Sequence, residues 1–113
     1  MEISVRKQQD VQVMQLHGDL RLGEPVDSFR QTAEELLAAG DTRIVLNLED
    51  VRMVDSSGIG SLVKILTSAK QRGGALKLVN PSKFTVQTLK LVGLLNLFEV
   101  YEDEVTAVAS YNA

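Results

Sequence analysis

The chain is predicted to fold as a single α/β domain over residues 1–113, a mixed β-sheet of about five strands with about four helices in the order β-β-α-β-α-β-α-β-α. Three observations carry that prediction. The N-terminal segment alternates apolar and polar side chains, the period of half-buried strands. Ile44-Val45-Leu46 is an unbroken apolar run, as expected of a central strand covered on both faces. Between strands, apolar residues recur at helical spacing, so parallel strands are joined by helical crossovers.

Each element has its own warrant. Ile3 and Val5, then Val11, Val13 and Leu16, form a hairpin turning at Gln8-Gln9-Asp10. Val26, Phe29, Ala33, Leu36 and Leu37 share one helix face, with Pro25 in the first turn and Gly40 as the stop. Thr42–Leu48 is the central strand. Ile59, Leu62, Val63, Leu66 and Ala69 line a second helix, with Lys64, Ser68 and Gln71 opposite, ended by Gly73-Gly74. Leu76, Leu78 and Val79 form the next strand. Ser82 caps a third helix that carries Phe84, Leu89 and Val92 and stops at Gly93. Leu91, Leu94, Leu95 and Leu97 are too dense for one helix face and read as core, with an apolar partner patch as the alternative. Phe98-Glu99-Val100-Tyr101 is a short last strand, and Val105 and Val108 place a short fourth helix. Ile44-Val45-Leu46 should be the most buried run, so Val45→Asp should bury an unpaired charge and unfold the domain.

Composition removes several classes of function. With 12 basic and 15 acidic residues the net charge is −3, which offers no bulk attraction to a phosphate backbone, so no nucleic-acid partner is expected. The absence of cysteine excludes disulfides, thiolate catalysis and Cys-type zinc sites. A single histidine, His17, cannot form a metal cluster, and no metal or cofactor is expected. No apolar run reaches the roughly 18 residues of a membrane span, and Met-Glu-Ile-Ser-Val-Arg lacks the order of a signal peptide; the expected location is the cytoplasm.

The distinctive segment is Met53-Val54-Asp55-Ser56-Ser57-Gly58-Ile59-Gly60-Ser61-Leu62, between the central strand and the second helix. Ligands and partners of open α/β sheets dock at such strand ends, beside helix N-termini. Asp55, Ser56 or Ser57 caps the helix; if Ser57 is the cap, Ser57→Ala costs ~0.5–2 kcal/mol. Gly58 and Gly60 each cost a helix ~1 kcal/mol relative to alanine, so their presence points either to close packing or to a turn left bare for a partner. A serine hydroxyl displayed there, beside a carboxylate, is open to modification; small-anion binding is a further reading. Gly58-Ile59-Gly60 lacks the third glycine of a dinucleotide fingerprint. Neither serine has the flanking glycines of a hydrolase elbow, and a triad would have to recruit His17, which reads as a half-exposed strand end. Glu34-Glu35 and Glu49-Asp50 read as solvated surface, and Lys64, Lys70 and Arg72 lack interleaved aromatics. No enzyme is expected.

Val54-Asp55-Ser56-Ser57-Gly58-Ile59-Gly60-Ser61-Leu62 resembles the signature of the STAS domain family of bacterial anti-sigma factor antagonists. Leu16-His17-Gly18-Asp19-Leu20, Ile44-Val45-Leu46-Asn47-Leu48, Gly73-Gly74-Ala75-Leu76-Lys77-Leu78-Val79 and Gly93-Leu94 to Val100-Tyr101 extend the resemblance from about Ile3 to Ala109. What it implies is partner switching. The unmodified antagonist binds an anti-sigma factor that is also a serine kinase; phosphorylation of the serine after the aspartate releases it, and a phosphoserine phosphatase resets it. On this sequence that serine is Ser56, within a partner-binding segment of Asp55, Ser56, Ser57, Gly58, Ile59 and Gly60. Arg21 stands where the family commonly has an acidic residue and Asn47 where many members have Asp, both positions that flank the modified serine. The alternative is a non-phosphorylated STAS interaction subunit of a transporter or sensor complex, with Ser56 only a cap; a small-molecule or nucleotide-binding domain is a third. A monomer is expected, with room for a weak dimer.

Overall fold

The computed structural model describes residues 1–112. Strands β1 (Glu2–Gln8) and β2 (Val11–His17) form an antiparallel hairpin around Gln9-Asp10. Helix α1 (Glu24–Ala38) leads to β3 (Arg43–Asp50), α2 (Ser56–Gln71) to β4 (Ala75–Val79), and α3 (Lys83–Leu91) through a 3₁₀ turn to β5 (Val100–Tyr101). Helix α4 (Glu104–Ser110) follows β5. The sheet order is β1-β2-β3-β4-β5, with every pair after the hairpin parallel. Strands and helices thus follow the expected order. Gly74 ends the α2 connection because nothing larger fits: an added Cβ would lie 1.8 Å from the Thr42 carbonyl oxygen.

Alternation along the strands divides the interior between two faces. Ile44, Leu46 and Leu48 of β3, with Met14, Leu16, Leu76 and Leu78, meet α1 and α2 in the larger core. Val11, Val13, Val45 and Val79 point the other way, where Ala107 and Val108 of α4 cover them. Ile44, Val45 and Leu46 are all fully buried. Lys77 also lies buried on the α4 face. Its ammonium donates to the Ser110 hydroxyl (2.7 Å), lies 3.6 Å from Glu99 and sits 4.1 Å from the centre of the Tyr111 ring. The Tyr111 hydroxyl in turn donates between the carbonyls of Ile44 and Ala75, at 2.7 and 2.8 Å, and burial pushes its pKa up.

The C-terminal third departs from the expected packing. Ser82 caps α3, its side chain accepting the Thr85 N–H at 3.1 Å, but Phe84 and Val92 face solvent and Leu89 alone of the expected apolar set is buried. Of the leucine cluster, Leu94 and Leu95 pack on the core whereas Leu91 and Leu97 are exposed. The last strand is only Val100–Tyr101, and Val105 of α4 is exposed while Val108 is buried. Helices this short keep only one or two side chains against the sheet, so spacing overestimates their buried face.

Candidate functional site

Two loops build the serine turn together. After β2, Asp19 accepts the N–H groups of Arg52 and Met53, at 3.2 and 3.3 Å. Leu20 bridges Val54 in parallel register, its N–H donating to Met53 (3.1 Å) and its carbonyl accepting from Asp55 (3.2 Å). The Asp55 carboxylate then holds both sides: one oxygen accepts the Gly58 N–H at 2.8 Å, the other the Leu22 N–H at 3.0 Å. Asp55 is therefore the N-cap of α2, with extended backbone, and Ser57 is not a cap. A carboxylate outperforms a hydroxyl here because it has a second oxygen for the neighbouring loop.

The Leu22 N–H does most to hold the Asp55 carboxyl below the usual carboxylate range; burial opposes it less strongly, and the N–H groups of Gly58 and Ser57 and the charge of Arg21 add to the lowering. Asp55 is thus ionised at neutral pH. Because its folded pKa is lowered, its stabilisation is present above about pH 4 and is lost as the pH falls through the folded value. Asp55→Ala is expected to cost ~0.5–2 kcal/mol at pH 7, with the gap from wild type closing as the pH falls below about 4; Ser57→Ala should stay within ~0.5 kcal/mol. Urea unfolding of both variants as the pH is lowered is the check. A larger loss for Ser57→Ala would restore Ser57 as the cap.

The two glycines separate into different roles. Gly58 is buried, and an added Cβ would meet the Leu20 carbonyl oxygen at 2.5 Å and a Val54 methyl at 2.6 Å, so it is there for packing between the loops. Gly60 is exposed with open space around it. The expected effects of alanine have opposite signs. Gly58→Ala should destabilise by ~1–3 kcal/mol through overpacking, and Gly60→Ala should stabilise by up to ~1 kcal/mol. Thermal melts giving both the same sign would contradict this division.

Of the remaining segment, Ser56 is exposed at the first helical position, Ser57 is half-buried and Ile59 is buried in the core. The Ser56 hydroxyl makes no hydrogen bond among the described residues. Beside it an open groove of ≈ 290 Å³ runs between α1 and α2, past Leu22, Asp27, Arg30, Ser57, Gly60 and Lys64. Leu22 is 76% exposed at its rim. Sequence reasoning passed over Leu22; its only signal was a lone apolar residue between Arg21 and Gly23, outside any periodic face. The first turn is also less bare than the glycines implied, since Asp55 already engages its N–H groups. Arg21 does lie beside the site, but Asn47 does not flank Ser56. Its side chain is on the α4 face, donating to Glu104 (2.7 Å) and accepting the Glu49 N–H (2.9 Å).

His17 is more organised than a bland strand end. One ring nitrogen is 2.9 Å from Asp50 and the other 3.0 Å from the Ser4 hydroxyl. This string resembles a triad in connectivity only. Ser4 stands on an open sheet face, and strand N–H groups lie in the sheet plane, so none points up to stabilise an oxyanion. Among the described residues no three His, Asp or Glu side chains converge to hold a metal ion, and no helix is long and apolar enough to cross a membrane.

Comparison with known proteins agrees with this architecture. The STAS domain family profile matches residues 2–107. A Thermotoga maritima protein named as a candidate anti-sigma factor antagonist is 35% identical over 69 residues, 61% of each chain, so the match spans about three fifths of that relative's length. The anti-sigma F factor antagonist of Paenibacillus polymyxa is 25% identical over 109 residues, 96% of this chain and 92% of its own. Among solved structures, that of a T. maritima candidate anti-sigma factor antagonist has a TM-score of 0.91 at 27% identity, covering 98% of this chain and 95% of the other. The antagonist SpoIIAA shares the fold in both its forms. Its unphosphorylated structure has a TM-score of 0.83 at 21% identity, covering 98% and 96% of the two chains. Its phosphorylated structure has a TM-score of 0.77 at 22% identity, covering 97% and 99%. A profile match over nearly the whole chain, on this sheet order and this serine turn, makes the protein a member of the STAS domain family.

Proposed function

We propose that this protein is a cytoplasmic anti-sigma factor antagonist that works by partner switching. In its unmodified form it binds an anti-sigma factor with serine-kinase activity, through the surface around Ser56. The kinase phosphorylates Ser56 and is released, and a phosphoserine phosphatase restores the binding form. The observation that carries this reading is the free, exposed Ser56 hydroxyl at the start of α2, on a turn whose backbone is fixed by Asp55 and whose neighbours Gly60 and Leu22 leave room for another surface. In this role Gly58 and Ile59 support the surface from below, while Asp55 and Ser57 shape it. Relatives named for antagonism of anti-sigma factors support the same reading. Intact mass measurement of the protein isolated from its own cells, before and after phosphatase treatment, tests it. One removable phosphate that maps to Ser56 is expected. Its absence under all growth conditions would favour a constitutive interaction subunit instead.

A further inference from the structure

The two edges of the sheet are not alike. At one end β5 is two residues long, too short to template another strand. At the other, β1 runs for seven residues with no proline, and its register against β2 is unbroken from Glu2 to Gln8. Five of its seven side chains are exposed, and its outer edge pairs with no other strand in the sheet. Natural sheets protect such edges with shortness, bulges or charges that repel a copy. Here shortness and bulges are missing, and the charges do the opposite.

We propose that β1 is a self-recognition edge, on which two copies of this chain pair antiparallel about Ser4 and join their sheets across a two-fold axis. An antiparallel pair that keeps each core on the same side must match residues of the same parity, which leaves only a few registers. With Ser4 opposite Ser4, Glu2 falls opposite Arg6 of the second copy, twice by symmetry, and Ile3 falls opposite Val5, also twice. Centring on Val5 instead sets Ile3 against Lys7 and Ser4 against Arg6; centring on Ile3 sets Glu2 against Ser4. Of these registers only the Ser4 one sets Glu2 against Arg6 and Ile3 against Val5; Lys7, which lies 3.9 Å from Asp41 of its own chain, falls opposite Met1. Directly opposed side chains have Cβ atoms about 4.5–5.5 Å apart, close enough for both kinds of pair.

The side chains are already placed for it. Val5 is 41% exposed, an apolar residue that its own hairpin leaves half uncovered and that Ile3 of a second copy would cover. Glu2 forms no ion pair among the described residues, whereas Arg6 is held beside Glu104 of its own chain. A guanidinium has five N–H donors, so Arg6 serves Glu104 and the incoming Glu2 together. One strand edge buries little area, which places the dimer among weak associations.

Sedimentation velocity on the full chain from about 10 μM to about 1 mM tests this, with circular dichroism melts to show that each variant is folded. Wild type should pass from monomer to dimer over that range. Glu2→Arg sets like charges opposite each other twice and should weaken the dimer by roughly tenfold or more; Arg6→Glu should do the same. An equimolar mixture of the two single variants should associate at least as well as wild type, because each supplies the charge the other lacks, and the Glu2→Arg/Arg6→Glu double variant should dimerise again. A wild-type monomer throughout the range overturns the proposal. So does a dimer indifferent to these reversals, or variants that fail to associate when mixed.

Discussion

Leu46→Asp is expected to leave the protein unfolded at neutral pH, with no cooperative thermal transition. Leu46 is fully buried between Met14 and Leu78 in a cluster that is apolar throughout. Removing the leucine side chain forfeits ~2–5 kcal/mol. The carboxylate must then be buried unpaired or taken up as the neutral acid, at several kcal/mol more. Together these approach the ~5–15 kcal/mol of a whole domain. Val45→Asp should be milder, although the sequence alone marks the two positions as equals. Val45 is paired in register with Lys77, whose ammonium lies on the same face of the sheet, so a carboxylate at 45 finds a cation. Melts of both variants at pH 7 decide this. A wild-type melt for Leu46→Asp would remove β3 from the centre of the core, and equal damage from both would show that Lys77 gives no relief.

Ser56→Asp is expected to keep the fold and lose about a hundredfold in affinity for the cognate anti-sigma kinase, whereas Ser56→Ala binds it and is not released by ATP. A phosphate on Ser56 carries ~−1.5 to −2 charges at neutral pH. The α2 N-terminus favours it by ~0.3–1 kcal/mol. The ionised Asp55 opposes it: two unit charges ~5 Å apart repel by ~0.8 kcal/mol even in water, and a dianion doubles that. With the Gly58 N–H already committed to Asp55, little remains to offset the repulsion. Neither sum is large enough to refold the domain, so the switch acts at the partner's surface. There an added anion without a matching cation needs to cost only ~2.7 kcal/mol to weaken binding a hundredfold. Calorimetric titration of both variants against that kinase is the measurement. Equal affinities would leave Ser56 as surface and nothing more.

What the sequence made legible followed from strong periodicity. The unbroken Ile44-Val45-Leu46 run, the hairpin alternation and the long faces of α1 and α2 each rest on many residues, so one mismatch does not mislead. Short elements lack that redundancy. Phe84, Val92 and Val105 fit a helical period yet face solvent, because α3 and α4 touch the sheet with too few turns to bury a full face. At the serine turn the segment was readable but its division of labour was not. That Asp55 and not Ser57 is the cap depends on the Leu22 N–H arriving from another loop, and no local pattern encodes that arrival. The same holds for Asn47, whose place on the α4 face follows from strand parity and from Glu104 far along the chain.

Among the described residues α4 is the only helix over the Val11, Val13, Val45 and Val79 face, and its seven residues are too few to hold helical structure alone. Its amide protons should therefore exchange with solvent through a local opening, well before those of β3, which await global unfolding. Each opening frees Lys77 from beneath Tyr111 and bares a strip of four β-branched side chains. For the lysine, release into water is inexpensive; for the valines it is not. The slowest-exchanging amides should thus lie along β3, while the lifetime of the α4 opening sets how often a sticky valine surface meets the solvent.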